Sequence, residues 1–151
     1  MATLNVGELI PDFSLQDQFG NTFDSKGYRG QKLVIYFYPK DNSLVCTREA
    51  CAFRDSFADF TDAGAVVAGI NSAPPETHAR FAADHRLPYI LLSDTGNKVL
   101  KSFGVRPALF LSGRETFLID ENGIVLFKYC AFFDGAGHPE KLLNALKANT
   151  K

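Results

Sequence analysis

The segment Lys32-Leu33-Val34-Ile35-Tyr36-Phe37-Tyr38-Pro39-Lys40-Asp41-Asn42-Ser43-Leu44-Val45-Cys46-Thr47-Arg48-Glu49-Ala50-Cys51 runs from a nearly unbroken apolar stretch through a proline turn to two cysteines. An apolar run without alternation, Lys32 to Phe37, marks a strand buried on both faces. The spacing after the turn predicts a helix from about Leu44 to Phe60, because Ala50, Phe53, Phe57 and Phe60 repeat at three to four residues along one stripe. Strand, turn and helix together place Cys46 near a helix N-terminus. There the free backbone N–H groups and the helix dipole favour a thiolate over a thiol.

Working outward, Phe13-Ser14-Leu15 and Thr22-Phe23 flank Asp17-Gln18-Phe19-Gly20-Asn21 and read as a short hairpin. Ala65 to Ile70 is a second buried strand, and a helix is expected from Pro75 to Asp84 with Ser72 as its cap. Tyr89 to Leu92 is a short extended piece, and Asn97 to Phe103 a short helix ended by Gly104. Glu115 to Asp120 and Ile124 to Tyr129 flank Asn122-Gly123, a strong hairpin signal, and Pro139 to Lys147 forms an amphipathic closing helix. Two early strand–helix units followed by a late hairpin imply an α/β fold. Its mixed central sheet, covered by helices on both faces and preceded by an N-terminal hairpin, is the thioredoxin-like arrangement.

At 151 residues, without repeat, linker or low-complexity segment, the chain reads as a single domain, 1–151. A net charge of −1 with scattered Lys and Arg gives no general attraction to nucleic acid or an anionic membrane. Neither a signal peptide nor a bilayer-spanning run is evident. The expected location is therefore the cytoplasm, or a plastid or mitochondrion if a transit peptide has been removed.

Three cysteines, Cys46, Cys51 and Cys130, are too few for a secreted disulfide scaffold. In a reducing compartment they can be buried and inert, bind metal or do redox work. Cys46 and Cys51 could be half of a zinc site, but His78, His85 and His138 are dispersed without ligand spacing. A helical position with a solvent-facing side chain is expected for His78 and His85, and Cys130 is expected to pack at the end of a strand.

With Pro39, Ser43 and Cys46 in place, the chain resembles the peroxiredoxins, whose signature is proline, three residues, Thr or Ser, two residues and cysteine. Tyr36 to Asn42 and Cys46 to Asp55 look like the Q-type (bacterioferritin-comigratory-protein) subfamily. Val6 to Leu15, Leu91-Leu92-Ser93-Asp94, Phe103-Gly104-Val105 and Gly113 to Asp120 continue the match in order, across essentially the whole chain. One departure stands out. Members of this type usually carry Pro-Gly where this chain has Leu44-Val45, which removes a fixed φ and a flexible point just before the cysteine. A β-branched residue also makes positive φ costly there.

The resemblance implies a thiol-dependent peroxidase that reduces hydrogen peroxide and organic hydroperoxides in antioxidant defence, without metal, flavin or haem. Cys46 is the implied nucleophile, with a pKa expected below the ordinary value of about 8.5. Arg114 would stabilise the thiolate and bind the peroxide oxygens, Ser43 would hydrogen-bond the sulfur or peroxide, and Pro39 would wall the pocket. Tyr38 is a further candidate for the pocket wall, and Glu49 could orient an arginine. Cys51 is the implied resolving residue, forming a disulfide that thioredoxin or a similar dithiol would reduce. Residues five apart on a helix have Cα atoms roughly 8–9 Å apart, beyond the span of about 7 Å that disulfides rarely exceed. The first turns of the helix must therefore unwind to form it. Q-type relatives imply a monomer.

A thioredoxin-like disulfide oxidoreductase is disfavoured because it would use Cys-x-x-Cys. A redox sensor or holdase using the same sulfur is the non-enzymatic alternative.

Overall fold

The computed structural model describes residues 4–39, 44–105, 115–130 and 137–148. Seven strands form one mixed sheet: β1 (Ser14–Asp17), β2 (Thr22–Asp24), β3 (Lys32–Phe37), β4 (Ala65–Asn71), β5 (Ile90–Ser93), β6 (Glu115–Ile119) and β7 (Val125–Cys130). Their order is β2-β1-β5-β4-β3-β6-β7. β3, β4 and β5 run parallel, while β6 lies antiparallel to β3 and β7 antiparallel to β6. The helices are α1 (Leu44–Asp55), α2 (Phe57–Asp62), α3 (Pro75–His85), α4 (Lys98–Ser102) and α5 (Gly137–Ala148).

The alternation of side chains along β3 divides the core. Val34, Tyr36 and Tyr38 face a cluster containing Phe53 of α1, Phe60 of α2, Phe81 of α3 and Leu142 and Leu146 of α5. Leu33, Ile35 and Phe37 face Ile10, Phe13, Phe23, Leu100 of α4, Phe103 and Phe117. β3 is thus buried on both faces, as its uninterrupted apolar sequence requires.

The Asn122-Gly123 turn forms as expected. Gly123 has φ 84°, and Asp120 Oδ1 accepts from the N–H groups of Asn122 and Ile124 at 2.8 and 2.9 Å.

Two expectations are corrected. The helix expected from Leu44 to Phe60 is divided at Ser56, whose φ −100° and ψ 5° end α1 before α2 begins. Ser72 does not cap α3. Pro74 occupies the cap position without a side-chain bond, and Pro75 supplies the first turn. The short helix expected from Asn97 to Phe103 forms as α4, and a 3₁₀ turn, Thr95–Asn97, precedes it.

Candidate active site

β3 ends at Phe37, and Pro39 follows half-buried. Chain direction carries α1 back over the sheet, with Cys46 third in the helix and completely buried. Leu44 and Val45 occupy its first two positions, and Leu44 is 67% exposed. Val45 is not among the described residues with positive φ. The helix therefore starts at this pair with no left-handed residue in it.

On the wheel of α1, Cys46, Glu49, Ala50 and Phe53 form the buried stripe. Cys51 lies roughly 140° around the axis from Cys46 and is half-buried. Neither cysteine is in a disulfide, and α1 is continuous between them. The reduced protein thus keeps the two sulfurs on different faces of an intact helix.

Glu49 is wholly buried, with Oε2 3.3 Å from Nδ1 of His138 in α5. The same Nδ1 lies 2.6 Å from Oγ1 of Thr116 in β6. The ring of Tyr129 in β7 packs edge-on against the imidazole, centroids 4.7 Å apart. One helical turn from Cys46, three elements meet in a polar cluster. His138 and Thr116 carried no sequence signal for this role, because the cluster is assembled by long-range packing.

Tyr38 is 1% exposed. Its hydroxyl is 3.5 Å from His78 Nδ1, and its ring stacks beside Phe81. It belongs to the core cluster that also holds Cys46. His78, expected to face solvent, is fully buried instead, its Nε2 3.0 Å from the carbonyl of Leu92. His85 is half-buried.

Cys130, expected to pack, is exposed, because β7 is an edge strand. It pairs across the ladder with Glu115. Burial foremost, and then the neighbouring Glu115 carboxyl, pushes its thiol pKa up. Arg114 and Ser43, two expected members of the site, lie outside the described residues. Among the described residues no helix is long and apolar enough to cross a membrane.

A thioredoxin-like sheet carrying a cysteine in the first turn of the helix after its interior strand β3 defines a thiol-based redox enzyme. Residues 6–128 match the AhpC/TSA family. The chain is 46% identical to the chloroplastic peroxiredoxin Q of Arabidopsis thaliana over 97% of its own length and 69% of the relative's. It superposes on the peroxidoxin BcpB of Mycobacterium tuberculosis with a TM-score of 0.92 and 34% identity, covering 98% of this chain and 99% of the other. A Xanthomonas campestris bacterioferritin comigratory protein, described for its alkyl peroxide reduction activity, matches over 100% of both chains with a TM-score of 0.87 and 29% identity. The chain belongs to the AhpC/TSA family, within its peroxiredoxin Q group. It is a thiol-dependent peroxidase, an oxidoreductase with the thioredoxin fold.

Proposed function

We propose that Cys46 is the peroxidatic nucleophile and Cys51 its resolving partner. The placement of Cys46 in the first turn of α1, the helix that follows β3 and Pro39 in the chain, carries this reading. The Cys46 thiolate attacks one oxygen of a hydroperoxide, the O–O bond breaks, and the departing alkoxide or hydroxide takes a proton. Sulfur is oxidised to the sulfenic acid and the peroxide is reduced to alcohol or water. Unwinding of the first turns of α1 then lets the Cys51 thiol displace water from that sulfenic acid, forming the disulfide. A dithiol of the thioredoxin type reduces the disulfide back to two thiols.

In this reading Arg114 and Ser43 bind the peroxide oxygens and the sulfur, Pro39 limits access, and Glu49 braces the arginine. The substrates are hydrogen peroxide and organic hydroperoxides, and the relative named for alkyl peroxide reduction supports the latter. The enzyme works as a single-domain monomer. The plant relative named as chloroplastic supports a plastid rather than the cytoplasm as its compartment.

Intact mass after one equivalent of peroxide tests the assignment. The native chain is expected to lose two hydrogens, Cys51→Ser to gain one oxygen, and Cys46→Ser to stay unchanged. Thioredoxin-linked turnover should disappear in both variants. Turnover retained in Cys51→Ser would transfer the resolving role to Cys130 or an external thiol.

A further inference from the structure

Tyr89 lies outside the chemistry, just before β5, and is 4% exposed. Its hydroxyl donates to the carbonyl of Ala50 in α1 at 2.8 Å. Ala50 lies between Cys46 and Cys51 in the helix that has to unwind. The hydroxyl of Tyr36, from β3, meets that of Tyr89 at 2.7 Å. Since the Tyr89 proton goes to Ala50, Tyr36 is the donor in this pair. A carbonyl has two lone pairs, so Ala50 can accept this bond as well as the helix's own.

The arrangement is held from both sides. Tyr36 pairs with Gly69 across β3 and β4, and a Cβ on Gly69 would stand 2.7 Å from Tyr36 Cζ and 2.8 Å from its Oη. Glycine leaves the room that the Tyr36 hydroxyl fills. On the other side Gln18 clamps the backbone around Tyr89, its Nε2 donating to the Tyr89 carbonyl at 3.2 Å and its Oε1 accepting from the Leu91 N–H at 2.9 Å. Phe53, three residues beyond Ala50, stacks on Tyr36 with centroids 4.5 Å apart. Both phenols are buried and stay protonated, so they remain donors at every working pH.

We propose that Tyr89 is a positioning residue for the resolving step: its hydroxyl on the Ala50 carbonyl holds α1 wound and sets how readily Cys51 is released to reach Cys46. The proposal rests on the reading of Cys46 and Cys51 given above. The bond keeps the reduced enzyme in the helical form that presents Cys46. It also prolongs the sulfenic acid stage, during which a second hydroperoxide can oxidise that sulfur to the sulfinic acid and leave as alcohol or water.

The test is rapid mixing with hydrogen peroxide, acid quench and intact mass. In a Cys51→Ser background, Tyr89→Phe should leave the rate of oxygen gain within twofold of its parent. With Cys51 present, Tyr89→Phe should form the disulfide about fivefold faster, the scale of one hydrogen bond. The doubly oxygenated fraction at high peroxide should fall correspondingly. Hydrogen exchange on the reduced protein should show faster opening of α1 by a similar factor. Tyr36→Phe is the matched control, since it removes the other buried hydroxyl and leaves the bond to Ala50; its disulfide rate should stay near native. Acceleration by both variants in proportion to lost thermal stability would overturn the proposal, as would an unchanged disulfide rate in Tyr89→Phe. A native chain that forms no Cys46–Cys51 disulfide would instead overturn the underlying reading, and the role of Tyr89 with it.

Discussion

Glu49 and His138 face each other with 3.3 Å between Oε2 and Nδ1, and neither side chain is exposed. The contact ties α5 to α1 one turn after Cys46, and Thr116 joins it from β6 at 2.6 Å from the same nitrogen. A buried carboxylate is costly unless neighbouring groups satisfy it. Taking one partner away therefore costs more than the contact itself contributes. His138→Leu should lower unfolding stability by about 2–4 kcal/mol in urea titrations. It should also slow the reaction with peroxide, through disorder at Glu49. Native stability in His138→Leu would show that the carboxylate is satisfied without the imidazole.

Gly69 is required by packing and not by backbone conformation. A methyl group there would press on the ring of Tyr36 and on Leu91 Cδ2, 3.0 Å away, and neither is exposed. Gly69→Ala should cost about 2–3 kcal/mol, a fall in Tm of about 4–12 °C for a chain of this size. Combining it with Tyr36→Phe, which removes the nearby hydroxyl, should recover part of the loss. Strict additivity of the two substitutions in calorimetry would contradict the packing argument.

Asp94 gives the Leu91-Leu92-Ser93-Asp94 motif a structural meaning. Its two carboxylate oxygens each accept a backbone N–H at the start of α4, from Val99 and Leu100, both at 2.9 Å, and the residue is 1% exposed. Asp94→Ala should cost about 2 kcal/mol by removing both bonds from a buried helix start. The rate of the first reaction with peroxide should be unaffected. A large loss of that rate in folded Asp94→Ala would give the motif a catalytic part.

What could be read in the sequence is what local pattern encodes. Lys32–Phe37 was legible to the residue because a strand buried on both faces has an unbroken apolar sequence. The break at Ser56 was not, because the stripe through Phe53, Phe57 and Phe60 continues across it. His78 looked solvent-facing on its helix, yet its ring reaches the Leu92 carbonyl of β5. Cys130 is exposed because β7 ends the sheet, and strand order is a property of the fold and not of the strand's own residues. In the site, Cys46, Pro39 and Glu49 were visible as motif positions. His138, Thr116 and Tyr89 became visible only once distant elements were packed together.

Glu115 and Cys130 form the remaining titrating pair. Glu115 is 7% exposed, and among the described residues its Oε2 has no hydrogen-bond partner. Burial raises its carboxyl pKa, opposed by the Cys130 hydrogen bond and by Lys128. A raised folded-state value means that folding favours the protonated acid. Its contribution is fully present below the unfolded value of about 4.3 and is lost as pH rises through the folded value. Ionising the buried carboxyl carries a cost that glutamine does not. Glu115→Gln should therefore gain stability over the native chain, read as a higher Tm, as pH rises above the unfolded carboxyl value, and the difference should vanish near pH 4. The same substitution removes the Glu115 charge that helps to hold the Cys130 thiol protonated. In a Cys46→Ser, Cys51→Ser background, iodoacetamide should then alkylate Cys130 several-fold faster at pH 8 in Glu115→Gln. Equal alkylation rates, or a Tm gap that persists at pH 4, would mean that this carboxylate does not control the thiol beside it.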